Sequence, residues 1–157
     1  MPGKLILIGC GPGASELMPF RAANRIARAD LVLYDRLIDP EILGFANDAA
    51  TTIYVGKRCG EGGRQQTDIN VRIAEALQAG QQVARRKSGD PMIFGRAVEE
   101  LAIATDLGAE VEIVPGVTAA RAAASDAKIG LTERAEIQSF TMTTARTAKD
   151  LSVPEWS

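Results

Sequence analysis

Six residues, Gly9-Cys10-Gly11-Pro12-Gly13-Ala14, follow directly on the apolar run Leu5 to Ile8 and satisfy the spacing G-x-G-x-x-G/A. Glycines in a strand-to-helix turn let the backbone approach a ligand closely, and a dinucleotide pyrophosphate is one such ligand. Asp35 closes the stretch "LVLYD" about 20 residues on, where a ribose-binding carboxylate would stand. On that reading the chain is a nicotinamide-dependent oxidoreductase domain. Cations gather at two further places. Lys57, Arg58 and Arg64 fall in one predicted loop region, and Arg85, Arg86 and Lys87 end one predicted strand. A small polyanion can use such clusters without the whole protein being basic. Immediately after them comes Gly89-Asp90-Pro91, which by itself reads as a β-turn.

The elements that must position these residues alternate. Lys4 to Ile8, Leu31 to Tyr34, Thr52 to Val55, Gln82 to Arg86 and Val111 to Val114 read as short strands. Between them, helical spacing predicts a helix from Ser15 with Leu17, Phe20, Ala23, Ile26 and Ala27 on one face, and another after Pro40. Further helices are predicted over Gln66 to Ala79, Phe94 to Leu107 and Thr118 to Ala127, and a last strand over Ser139 to Thr143. Strands alternating with helices imply an α/β domain: a mostly parallel sheet flanked by helices, joined by right-handed crossovers. Ligands then belong outside the carboxyl ends of the strands, so the loops after Ile8, Tyr34, Val55, Arg86 and Val114 are expected along one edge.

Composition narrows the function classes. At 157 residues, with 46% hydrophobic and 24% charged residues, the chain is long enough for one buried core and has the balance of a globular domain. A net charge of −2 and only 4% aromatic residues argue against a nucleic-acid partner. No apolar run reaches the roughly 20 residues that span a bilayer, so no membrane partner is expected and the default compartment is the cytoplasm. The chain contains no histidine, which removes the commonest general base and transition-metal ligand; no metal site is expected. Cys10 and Cys59 lack metal-ligand spacing and read as buried thiols.

From Arg85 onward the sequence becomes specific. The stretch "RRKSGDPMIFGRAVEE" resembles the tetrapyrrole (corrin/porphyrin) methylase family. "IGCGPG", "LVLYDRLI", "VGKR", "QTDIN" and "VPGVTAA" match that family in the same order, and "GLTERAEIQSFTMTTA" matches it more loosely. Any one of these blocks occurs by chance, but the ordered set covers essentially the whole chain. "YDRL" with "GKR" is similar to the branch that methylates carbon on uroporphyrinogen III, the step leading to precorrin-2, sirohaem and cobalamin.

The resemblance implies the family's N-terminal α/β domain over residues 1–144, with 145–157 as an interdomain linker or tail. It also implies an S-adenosyl-L-methionine-dependent methyltransferase. For cofactor binding it implies Pro12, Ser88, Gly89, Asp90, Ile93, Thr118 and Ala119. Asp35 matches the family's proposed proton acceptor and Lys57 its proposed donor. A small-molecule tetrapyrrole with eight carboxylates calls for fixed cations, and Arg36, Arg58, Arg85 and Arg96 are the candidates for contact or orientation. Gln66 and Asn70 match the family's "Q…IN" helix, and equally suit a capped helix start. A homodimer is the assembly common in the family.

Departures are several. Ala14 replaces the usual Asp and Pro19 the usual Thr, while Gly62 and Gly63 replace His-Ser. Arg86 and Ser88 replace Leu and Gly, Glu133 replaces His, and Ala145-Arg146 replace Gly-His. The family's second α/β domain has no counterpart in the sequence, so the chain is expected to be an N-terminal half with weak cofactor binding alone. A non-catalytic binding module is the third reading.

Overall fold

A computed structural model of the chain describes residues 1–35, 40–56 and 64–144. Met1–Ala119 pack as one unit and Ala120–Ser157 as another. The first unit holds five strands: β1 (Lys4–Gly9), β2 (Leu31–Tyr34), β3 (Thr51–Tyr54), β4 (Gln82–Lys87) and β5 (Glu110–Val114). All pair in parallel, in the order β3-β2-β4-β1-β5, which is the α/β sheet expected from the alternation.

Alternation along the strands divides the core between two faces. Ile6, Ile8, Val32 and Ala84 meet Ala22 and Ile26 of α1 (Phe20–Ile26) and Ile42 of a 3-10 segment, Pro40–Phe45. Leu5, Leu7, Leu31, Leu33 and Val83 meet Ile69, Ile73 and Leu77 of α2 (Arg64–Gln78) and Ala97 and Ala104 of α3 (Ala97–Asp106). From β1 the chain crosses over β4 to reach β2; from β4 it crosses over β1 to reach β5. Opposite directions of travel with one handedness put the crossovers on opposite faces. The loops after β1 and β4 therefore part at a topological switch point, the place where open α/β sheets receive ligands.

Four sequence expectations are corrected. No α-helix starts at Ser15: Ser15–Leu17 is a 3-10 turn, and α1 begins after Pro19. Pro19 disfavours a helical residue before it, and Met18 is extended with ψ 133°. Phe20, assigned to the core stripe, is the first residue of α1 and is 89% exposed, while Ile26 of that stripe is buried together with Ala22. The segment after Pro40 is 3-10 rather than α-helical. The helix expected from Phe94 starts at Ala97, because Phe94 and Arg96 take left-handed φ values of 53° and 52°.

The second unit, as far as it is described, continues α4 (Ala119–Asp126), which has no buried residue. The strand expected over Ser139 to Thr143 does not form; the described residues there have no strand ladder. A strand needs a partner for its backbone groups. The nearest pairing is the bridge between Glu133 and Ile137, made by two backbone hydrogen bonds of 2.9 Å.

Candidate functional site

Three loops converge on the carboxyl edge through glycine. Gly89 donates its N–H to the Gly11 carbonyl at 2.7 Å, and Gly11 returns a bond of 3.3 Å to Gly89. A Cβ on Gly9 would stand 2.6 Å from the Gly116 nitrogen and 2.7 Å from the Gly89 carbonyl oxygen. The loops after β1, β4 and β5 thus meet backbone to backbone, closer than any side chain permits.

Asp90 fastens the seam. One carboxylate oxygen accepts the Met92 N–H at 2.8 Å, forming a turn, and the other accepts the Gly116 N–H at 3.0 Å. The residue expected to touch a cofactor thus also holds the β4 and β5 loops together. Pro12, Ser88, Ile93 and Thr118 are half-buried around this seam, Gly89 is buried in it, and Ala119 is exposed. Backbone N–H and C=O groups, a hydroxyl or two and the apolar faces of Pro12 and Ile93 suit the amino-acid and nucleoside parts of a small ligand.

Behind the seam on the α2/α3 face lies a buried charge network. Arg85 is 3% exposed, and each nitrogen of its guanidinium has a partner. Nη2 donates to both carboxylate oxygens of Asp35 at 3.2 and 2.9 Å, Nε to Glu100 at 3.1 Å, and Nη1 to the Arg86 carbonyl at 2.7 Å. Glu100, 0% exposed on α3, also accepts from Gln66 at 3.3 Å and lies 2.9 Å from the Lys87 ammonium. Lys87 in turn donates to the Gly95 carbonyl at 2.6 Å. Burial, aided by the Arg85 charge, pulls the Lys87 pKa below its ordinary value against the opposing pull of Glu100.

Arg85 is therefore a side chain that orients Asp35, which keeps about a third of its own surface open. The triplet Arg85-Arg86-Lys87 is not one cationic cluster facing a polyanion, as its sequence suggests. The pleat sends Arg85 and Lys87 to one face and Arg86 to the other, and all three are buried. Arg96 stands exposed at the N-cap position of α3, and its side chain makes no capping bond. Its Nε and Nη2 grip both oxygens of Glu99 at 2.7 and 2.8 Å, a bond that raises its pKa. Gln66 donates to Asn70 at 2.9 Å as well as to Glu100, so the "Q…IN" pair belongs to the Glu100 network rather than to a helix cap. Lys57, Arg36, Arg58 and Cys59 lie outside the described residues.

Glu100 was missed by reasoning from charge, yet its place was readable. It lies on the stripe Ala97, Glu100, Leu101, Ala104, which recurs at helical spacing and packs on the sheet. Gly116 carried a signal as well, standing just beyond the strand that ends in the buried Val114, as the glycines after β1 stand beyond theirs. Among the described residues no cluster of His, Cys, Asp or Glu suits a metal ion, and no helix is long and apolar enough to cross a membrane.

The glycine loop does not build a dinucleotide site. In that site the glycine loop opens directly into a helix and its strand neighbours the one bearing the acidic residue. Here the first α-helix begins at Phe20, and β4 stands between β1 and β2. Two strand spacings, roughly 10 Å, separate the root of the glycine loop from the strand leading to Asp35.

The family model for Tetrapyrrole (Corrin/Porphyrin) Methylases matches residues 4–156. The uroporphyrinogen-III C-methyltransferase of Methanocaldococcus jannaschii is 41% identical over 150 residues, 96% of this chain and 62% of that protein. "Siroheme synthase 2" of Aeromonas hydrophila is 40% identical over 98% of this chain and 33% of its own length. Among solved structures, uroporphyrin-III-C-methyltransferase from Thermus thermophilus superposes with a TM-score of 0.73 at 36% identity, covering 86% of this chain and 57% of that one. The same enzyme complexed with S-adenosyl homocysteine gives 0.68 at 37% identity, covering 85% and 55%. The chain thus spans from about a third to under two thirds of the length of these relatives.

Proposed function

Because this chain belongs to the tetrapyrrole (corrin/porphyrin) methylase family, we propose that it carries one side of an S-adenosyl-L-methionine site. The reaction it serves is carbon methylation of uroporphyrinogen III. The observation that carries this reading is the seam of Gly9, Gly11, Gly89 and Gly116 at the switch point. It gathers Pro12, Ser88, Gly89, Asp90, Ile93, Thr118 and Ala119 within the loops of one sheet edge. The relative whose printed name is uroporphyrinogen-III C-methyltransferase and the structure complexed with S-adenosyl homocysteine support the same assignment.

When bound, the sulfonium supplies an electrophilic methyl group. What remains for the protein is positioning, exclusion of water and removal of one proton. The seam provides rigid backbone for the first. Asp35 accepts the proton that the methylated ring carbon must lose, and Arg85 holds its carboxylate at a fixed angle by two hydrogen bonds. Lys57 is assigned the role of proton donor, and Arg36, Arg58 and Arg96 the binding of substrate carboxylates. The protein works in the cytoplasm, as a homodimer, on a tetrapyrrole and not on nucleic acid.

Calorimetry with S-adenosylhomocysteine and, separately, NADH tests the reading. Heat with the former and none with the latter is expected. NADH binding without binding of the homocysteine analogue would overturn it.

A further inference from the structure

Arg86 has the same charge as its two neighbours and none of their partners. Its residue is 0% exposed, and Nε, Nη1 and Nη2 are all buried without a hydrogen-bond partner. A guanidinium does not shed its proton in a protein, so the charge is permanent. An isolated buried charge costs several kcal/mol, which a folded chain sustains only if a counter-charge arrives.

No acid of this chain supplies it among the described residues. Asp35 is taken by Arg85, Glu100 by Arg85 and Lys87, and Asp90 by two backbone N–H groups. Glu41, on the same side of the sheet, accepts from the Ser15 hydroxyl at 2.8 Å. The group standing next to Arg86 is the Cys10 thiol. Burial pushes that thiol up, and the downward pull of Arg86 does not reverse it. The Cys10 thiol is thus within hydrogen-bonding reach of Arg86, but its burial works against its becoming the counter-charge.

Position limits the ligand. Arg86 pairs in register with Ile8 at the end of β1, and Cys10 begins the loop that follows, bonded through its N–H to the Lys87 carbonyl at 2.9 Å. The guanidinium thus lies at the root of the Gly9–Ala14 loop, on the α1 side of the switch point. Arg85 and Lys87 lie on the opposite face, so the site offers one positive charge and a planar fork of donors. A single planar monoanion matches both. We propose that Arg86 is a buried receptor for one carboxylate, admitted at the root of the Gly9–Ala14 loop. The family pattern carries leucine here, so the site is a property of this chain.

The carboxylate comes either from a small free acid or from an arm of a polycarboxylate tetrapyrrole. The first stands without the methyl-transfer reading; the second rests on it. Thermal melts of the chain in sodium acetate, against sodium chloride at equal ionic strength, test the receptor itself. Acetate is expected to raise the wild-type midpoint to a plateau as binding to the folded state saturates. Arg86→Leu and Arg86→Met should show only the chloride behaviour. Independently of any variant, one arginine Nε resonance of the wild type should move during the acetate titration. A parallel titration with uroporphyrin III identifies the source. Saturation far below the acetate concentration upholds the site as a tetrapyrrole-arm receptor, and saturation by acetate alone upholds it for small acids. Equal responses of wild type and variants, with no Nε shift, overturn the proposal. So does a thiolate absorbance in the wild type that Arg86→Leu removes, since Cys10 would then be the counter-ion.

Discussion

Arg85 and Arg86 are successive residues of one strand with opposite fates. On the α2/α3 face every guanidinium nitrogen of Arg85 has a partner, and the network extends through Glu100 to Lys87 and through Asp35 to the sheet edge. On the α1 face Arg86 meets apolar surroundings and a thiol, and none of its guanidinium nitrogens is matched. The difference teaches that burial of charge has no single meaning. A paired charge positions other groups, whereas an unpaired one awaits a partner, and the strand pleat alone decides which face a residue meets.

The largest expected effect comes from breaking the paired face. Glu100→Leu leaves Arg85 and Lys87 buried without their shared carboxylate and is expected to cost about 3–5 kcal/mol in denaturant unfolding. A variant as stable as the wild type would mean that the network carries no charge compensation. Removing the unpaired charge should act in the opposite direction. Arg86→Leu, measured in a buffer free of carboxylates, is expected to gain about 1–4 kcal/mol, since a buried charge gives way to an apolar side chain. A loss of stability would place a hidden partner on Arg86.

The seam that joins the two faces should be sensitive to a single methyl group. Gly116→Ala places a Cβ against the Gly89 carbonyl and the Gly9 backbone and is expected to cost about 1–3 kcal/mol. It should also weaken binding of S-adenosylhomocysteine in calorimetry. Unchanged stability and binding would show that the seam yields readily.

The smallest effect belongs to the far, amino-terminal end of the sheet, where charges are paired but more open. Burial raises the pKa of Glu112, but hydrogen bonds from Lys4 and Arg25 outweigh it and hold the group below its ordinary value of 4.5. The stability it contributes is present above pH 4.5 and is lost as pH falls through the lower folded value. Glu112→Gln should therefore cost roughly 0.5 kcal/mol near pH 7 and nothing below the folded pKa. Stability curves of wild type and variant that stay parallel throughout the acid range would contradict this.

Much of the fold was legible because β1 and β2 are short apolar runs and the segments between the five strands carry helical spacing. Where the reading failed, a local rule was overridden by a neighbour. Pro19 delayed the first helix through Met18. The left-handed backbone at Phe94 and Arg96 delayed α3, beside a Gly95 carbonyl that bonds the Lys87 ammonium. Ser139 to Thr143 alternates like a strand, but alternation does not provide a partner.

The candidate site divides in the same way. Residue types and ordered motifs pointed to Pro12, Ser88, Gly89, Asp90, Ile93, Thr118 and Ala119, because glycine turns and their neighbours are local features. They also pointed to the strand ends that carry Asp35 and Arg85. The sequence by itself thus determined which residues lie at the carboxyl edge and that the family is one of tetrapyrrole methylases. Only the tertiary structure decided which charges meet. Strand order puts β4 between β1 and β2, bringing Arg85 to Asp35 and setting the glycine loop apart from it. Helix packing brings Glu100 onto Arg85 and Lys87 and leaves Arg86 alone. Pairing between charges is a contact across distant segments, and no local pattern encodes which partner arrives.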